Sequence, residues 1–163
     1  MSETQARLNV LFVCTGNTCR SPLAALALRS ELGGDASAVS IESAGTSATA
    51  GQPASEGSRR VAEAEGLDLS GHRSRAVTPE MLRRADLVLV MSPSHRTAVL
   101  AMGASIERVH VVNEWPPPGE PGLAVFDPFG ASYEAYEECW RRLQQHARRI
   151  APHVRYALRD RRP

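Results

Sequence analysis

Residues 10–24 read VLFVCTGNTCRSPLA. An apolar run ends in Cys14, five small or polar residues follow, and Arg20-Ser21-Pro22 closes the stretch before a second apolar run begins. The first run, Leu8–Val13, has the composition of a buried parallel strand. Pro22 opens a helix through LAALALRSEL that stops at Gly33-Gly34, with proline near its start and glycine past its end. A strand, a tight loop and a helix N-terminus make a natural anion site, because the loop amides are unpaired and the helix dipole favours negative charge.

Each residue of the loop suits that purpose. Thr15, Gly16, Asn17, Thr18, Cys19 and Arg20 supply donors. Gly16 and Asn17 are the residues best able to take left-handed backbone angles that curl a loop into a cup. Cys14 falls at its base. The same amides that hold a phosphate stabilise a thiolate, and such surroundings lower a thiol from ~8.5 to between ~3.5 and ~7.5. The Arg20 fork matches two phosphate oxygens, and Ser21 is placed to donate to the sulfur.

Outward from this loop, strand and helix signals alternate. Val39–Ser43 reads as a strand, followed by the loop AGTSATAGQPAS. Glu56–Glu65 reads as a helix ended by Gly66, and Ala85–Met91 as a buried strand. Ser92-Pro93 opens a helix that ends near Gly103, and Arg108–Val112 is a short strand. NEWPPPGEPGLAVFDPFG is too rich in Pro and Gly to be regular. A last helix begins near Ser132 and runs past Arg149. The alternation predicts an α/β fold, a parallel sheet with helices on both faces. Ligands of such folds sit beyond the C-terminal ends of the strands, where Cys14 lies. One domain over 1–163 is expected, with 1–7 and 156–163 as frayed tails.

Composition narrows the function classes. With 163 residues, 42% of them hydrophobic and 23% charged, the chain is an ordinary globular protein. Its net charge of +1 points to no polyanionic partner. The arginines at 141, 142, 148, 149, 155, 159, 161 and 162 read as a solvated helix face and tail rather than a nucleic-acid surface. Neither a membrane span nor a secretion signal is evident, and a count of three cysteines is no disulfide framework. A reducing cytoplasm is the expected location. The chain has no lysine, which excludes the lysine-bearing nucleotide-binding loop. Its five histidines are scattered rather than set at metal-ligand spacing.

VLFVCTGNTCRSP resembles the phosphate-binding loop of the low-molecular-weight protein tyrosine phosphatase family. ESAGTSA (42–48), GLDLSGHRSR (66–75), ADLVLVMSPSH (85–95) and VFDPFG (125–130) resemble that family's blocks, in order. The resemblance implies a four-stranded parallel sheet, no metal or cofactor, and phosphorylated proteins as substrates of a chain expected to be monomeric. It implies that Cys14 is the nucleophile forming a phosphocysteine, that Arg20 and the loop amides hold the phosphate, and that Asp127 is the general acid and then base. Asn17, Ser21, Ser43 and His72 match a supporting hydrogen-bond network. Cys19 matches a partner that forms a disulfide with the nucleophile and protects it from irreversible oxidation; the alternative is a small packing residue. Cys139 reads as packing, and Trp115 as an anchor for its loop.

Thr18 and the Asp127-Pro128-Phe129-Gly130 stretch resemble the bacterial protein arginine phosphatase branch. A phosphoarginine guanidinium is polar, planar and cationic. Thr18 can hydrogen-bond it, Phe129 can stack on it, and Asp127 can pair with it. Thr18 and Phe129 are therefore the expected selectors of phosphoarginine, with phosphotyrosine as the alternative substrate. An arsenate reductase on this scaffold needs further cysteines between about Ala76 and Gly103, where there are none. A non-catalytic phosphate-binding module is expected to have lost Cys14, Arg20 or Asp127, and all are present.

Overall fold

The computed structural model describes residues 7–161. Its centre is a four-stranded, all-parallel sheet in the order β2-β1-β3-β4, made of β1 (Leu8–Cys14), β2 (Val39–Gly45), β3 (Leu87–Val90) and β4 (Val109–Val111). Alternation along β1 splits the core into two layers. Val10 and Phe12 pack on the side of α1 (Arg20–Leu32) and α5 (Tyr133–Asp160), together with Leu23, Leu28, Leu143 and Ile150. Leu11 and Val13 face the opposite layer with Leu82, Val90 and Val99, on the side of α3 (Pro79–Arg84) and α4 (Pro93–Ala101). β1 is thus buried on both faces, which is why it reads as an unbroken apolar run.

The chain leaves β1 for β2 on one side and returns to β3 on the other. That reversal opens a crevice at the carboxyl end of β1. α1 begins inside it and is buried at nearly every position from Arg20 to Leu28. α2 (Glu56–Ala64) borders it, capped by the Ser55 hydroxyl, which accepts from Ser58 N. Gly57 lets α2 sit against α5, since a Cβ there would lie 2.5 Å from the Tyr136 ring.

Several boundaries differ from the sequence reading. α1 starts at Arg20, two residues before Pro22, so the closing arginine is itself helical. α3 is an unforeseen helix of 6 residues, too short to carry a periodic signal; Thr78 caps it and Pro79 opens it. α5 continues to Asp160, into the stretch expected to fray, because Val154 and Leu158 belong to the core. The expected frayed residues 1–6, 162 and 163 lie outside the described part.

The C-terminal arginines also correct the expectation of a merely solvated face. Arg149 donates to the carbonyls of Trp115 (3.2 Å) and Val112 (3.3 Å), and Arg142 to that of Ala124. His146 Nε2 donates to the Leu123 carbonyl at 2.7 Å, while its Nδ1 accepts from Arg149 at 2.9 Å. Arg155 pairs with Asp35 at 3.1 Å. Trp115 anchors its loop by stacking on His110 at 5.6 Å between centroids and meeting His153 edge-on at 5.5 Å. The segment 112–125, expected to be irregular throughout, includes a 3-10 helix at Pro121–Leu123, and these contacts fasten it along α5. Among the described residues no helix is long and apolar enough to cross a membrane.

Candidate active site

The loop from Cys14 to Arg20 forms a cup at the end of β1. Its left-handed residue is Asn17, at φ 57°; Gly16, expected to share that role, is not left-handed. The side chain of Asn17 compensates for the strain of a non-glycine residue there. Its Nδ2 donates to Ser21 Oγ at 2.8 Å and to Ser43 Oγ at 2.9 Å. Its Oδ1 accepts from the Arg75 amide at 2.9 Å, and its carbonyl accepts from His72 Nε2 at 2.6 Å. A carbonyl can only accept, so His72 carries its proton on Nε2. Burial, outweighing this bond, lowers the His72 pKa and keeps the ring neutral. Asn17, Ser21, Ser43 and His72 are thus brought together as one network, with Arg75 as a member that sequence reasoning missed.

The Cys14 sulfur is buried at the base of the cup. It accepts from the Asn17 amide at 3.3 Å and lies 2.9 Å from Ser21 Oγ. Ser21 Oγ already accepts from Asn17, which leaves its own proton free for the sulfur. The β2 end runs beside the cup. Thr46 N donates to the Cys14 carbonyl at 2.9 Å and Ser47 N to the Thr15 carbonyl at 3.0 Å. Gly45 makes this approach possible, since a Cβ on it would lie 2.3 Å from the Thr15 oxygen. No side chain caps the N-terminus of α1 at Cys19, so the first-turn amides carry their partial positive charge toward the cup.

Arg20 is only 6% exposed. Its Nη1 reaches the Val125 carbonyl at 3.5 Å and its Nη2 reaches Thr15 Oγ1 at 3.5 Å, while Nε has no hydrogen-bond partner among the described residues. A buried guanidinium with long contacts and a free N–H fits an anion such as phosphate. Asp127 lies 3.7 Å from Arg20 Nη2, with its side chain half exposed, and its Oδ1 accepts from the Phe129 amide at 3.1 Å. The carboxylate therefore faces the cup from its rim.

Thr15 carries a contact that the sequence reading missed. Its Oγ1 lies 2.8 Å from His95 Nε2, and His95 Nδ1 lies 3.0 Å from Ser92 Oγ. Burial, aided by the Arg20 charge, pushes the His95 pKa down to about 4, so the ring is neutral near pH 7. The hints were the position of His95 just past the end of a buried strand and its place at the end of the family-like block 85–95. Cys19 lines the cavity over the cup together with Cys14. Its thiol donates to Ser55 Oγ at 3.2 Å and lies 3.6 Å from the Tyr136 hydroxyl, whose pKa burial raises to about 12. All three cysteines are free thiols, and buried Cys139 has its pKa pushed up to about 12 by desolvation.

A cavity of about 530 Å³ opens over the cup. Thr18, Phe129 and Asp127 line it beside Cys14 and Arg20, and it continues past Gln52 to Glu56 and Arg59 on α2. Phe129 is 71% exposed, so its ring faces are open. Among the described residues no group of three or more His, Cys, Asp or Glu side chains could hold a metal ion.

Residues 9–160 match the low molecular weight phosphotyrosine protein phosphatase family. The chain belongs to that family. As a member it is a hydrolase, a cysteine-dependent phosphatase acting on phosphorylated protein. One curated relative is the low molecular weight protein-tyrosine-phosphatase Etp of Escherichia coli K12, 33% identical over 138 residues, 84% of this chain and 88% of the relative. The tyrosine phosphatase Wzb from Escherichia coli K30, solved with sulphate, is 34% identical and superposes with a TM-score of 0.78 over 90% of this chain and 97% of its own. The YwlE arginine phosphatase from Geobacillus stearothermophilus is 29% identical, with a TM-score of 0.83 over 96% of this chain and 98% of its own. The family thus places both kinds of phosphatase near this chain, and the backbone follows the arginine-phosphatase branch closely.

Proposed function

We propose that this phosphatase uses Cys14 as its nucleophile and hydrolyses phosphoarginine in preference to phosphotyrosine. The observation that carries the chemistry is the buried Cys14 sulfur, held 2.9 Å from Ser21 Oγ in a cup overlooked by Arg20 and Asp127. In the first step the thiolate attacks phosphorus. The S–P bond forms as the P–N bond of phosphoarginine, or the P–O bond of phosphotyrosine, breaks. Asp127 gives its proton to the departing atom. In the second step water attacks the phosphocysteine, Asp127 takes the proton back, and the S–P bond breaks to release inorganic phosphate. Arg20 and the loop amides bind the equatorial oxygens and hold the reacting atoms in line. Asn17, Ser21, Ser43 and His72 keep the cup in shape.

The phosphoarginine preference is supported by the side chains beside the cup. The Thr18 hydroxyl can hydrogen-bond a guanidinium, the open Phe129 ring can stack on it, and Asp127 can pair with its charge. A likeness in backbone to an arginine phosphatase adds to this. The test is kcat/KM on matched phosphoarginine and phosphotyrosine peptides, with Cys14→Ser as the blank. A strong preference for phosphoarginine is expected, and Thr18→Ile should erode it by reducing phosphoarginine turnover more than phosphotyrosine turnover. A preference for phosphotyrosine would keep the mechanism and overturn the selectivity.

A further inference from the structure

The cavity over the cup is larger than a phosphoryl group requires, and α2 forms part of its wall. Arg59 stands on that wall. Its side chain is half-buried, and its Nε is sealed from solvent with no hydrogen-bond partner among the described residues. It takes no part in the ion pairs found there either. Arg75, Arg142 and Arg155, also half-buried, pair with Glu42, Glu138 and Asp35. Arg96 and Arg149 are half-buried without an ion pair, but Arg149 donates to the Val112 and Trp115 carbonyls, and neither lines this cavity. A buried guanidinium N–H without a partner is costly, and an acceptor in the cavity would satisfy it. Its position is not loose. Ser55 caps the helix that carries it, and Gly57 seats that helix against the Tyr136 ring. Arg20 serves the cup, so Arg59 adds a second cationic group to the lining of the same cavity.

We propose that Arg59 forms a secondary anion subsite that recognises an Asp or Glu side chain flanking the phosphorylated residue of a protein substrate. This inference rests on the phosphatase reading above and adds to it a preference for sequence. A carboxylate matches the Arg59 fork in geometry and charge. Glu56 lines the same wall, at the first residue of α2.

The experiment uses the full-length chain and a set of phosphopeptides carrying the phosphorylated residue that the side-by-side assay selects. Each peptide has a single Asp, Asn or Lys at one of the three positions before or after that residue. The readout is the ratio of kcat/KM for the Asp and Asn versions. At one position or more, the wild type should favour Asp by about tenfold, the scale of one charge-assisted hydrogen bond. Arg59→Gln should bring that ratio close to one, and Arg59→Glu should transfer the preference to the Lys peptide. Because each ratio is taken within one variant, a partial loss of folded protein does not alter it. A wild type indifferent to Asp at every position, or a preference that survives in Arg59→Gln, would overturn the subsite and leave the phosphatase reading standing. A wild type that turns over none of the peptides would overturn both.

Discussion

The Thr15 hydroxyl lies 2.8 Å from His95 Nε2 and accepts from Arg20 Nη2 at 3.5 Å. A neutral, buried imidazole rooted on α4 thereby braces the guanidinium through a single hydroxyl. His95→Asn can keep the contact of Nδ1 with Ser92 but cannot reach Thr15, whereas His95→Gln retains the reach of Nε2. The Asn variant should lose about tenfold in kcat/KM, on the scale of a hydrogen bond to a charged group, and the Gln variant should lose clearly less. Steady-state kinetics beside thermal melts check this. Equal losses in the two variants would mean that the Thr15 contact does not brace Arg20.

Acid should destabilise the fold through the same residue. Burial and Arg20 push the His95 pKa down to about 4, and burial also lowers His72, His110 and His146. Unfolded, each titrates near ~6.5. Between these values the unfolded chain binds more protons, so stability is complete above about pH 6.5 and is lost as pH falls toward 4. Melting temperatures measured from pH 7 to pH 4 should fall, and fall less steeply in His95→Gln. A flat profile would contradict the burial of neutral histidines.

Cys14→Ser should abolish turnover yet bind phosphate, because the amides, Arg20 and the supporting network do not depend on the sulfur. Phosphate binding by calorimetry and turnover of p-nitrophenyl phosphate check the two halves. Residual turnover at a tenth of the parent rate would remove Cys14 from the mechanism.

Asp127→Ala should slow substrates with poor leaving groups far more than p-nitrophenyl phosphate, whose leaving group departs without a proton. General acid catalysis contributes about 10²- to 10⁴-fold, and the difference between the two substrates should fall in that range. An equal effect on both would assign the half-exposed carboxylate of Asp127 to binding alone.

Gly45→Ala should damage the site from behind. The new Cβ would lie 2.3 Å from the Thr15 oxygen and 2.9 Å from Ala48 Cβ, and backbone atoms cannot yield as a side chain does. Either the end of β2 or the cup must move, so activity and melting temperature should fall together. A variant with full activity would show that the approach of β2 to the cup is dispensable.

Much of this was legible in the sequence. The strand, cup and helix were readable because local rules govern all three: an apolar run, residues that tolerate a tight curl, and a proline at a helix start. Asp127 could be placed only by the resemblance, since an Asp-Pro pair by itself reads as a turn. What stayed hidden depends on contacts between distant residues. Arg75 meets Asn17 through a backbone amide 58 positions away, a bond that no side-chain pattern announces. His95 braces Thr15 across 80 positions, and Tyr136 meets Cys19 across 117. α3 was missed because one and a half turns carry no periodicity. Arg142 and Arg149 of α5 were read as solvated because their acceptors are carbonyls in a Pro- and Gly-rich segment whose one regular turn is the 3-10 helix Pro121–Leu123.

That arrangement of α5 bears on how the enzyme could diversify. Arg142, His146 and Arg149 hold the carbonyls of Val112, Trp115, Leu123 and Ala124, so the segment leading to Asp127 is secured upstream of its tip. Phe126 and Phe129 are largely exposed; Phe126 lies under the Arg142 guanidinium at 5.2 Å and Phe129 lines the cavity. The tip is therefore an exchangeable part: on the proposed selectivity, a change of its ring-bearing positions would alter the substrate side chain accepted and leave the fastened frame behind Asp127 in place.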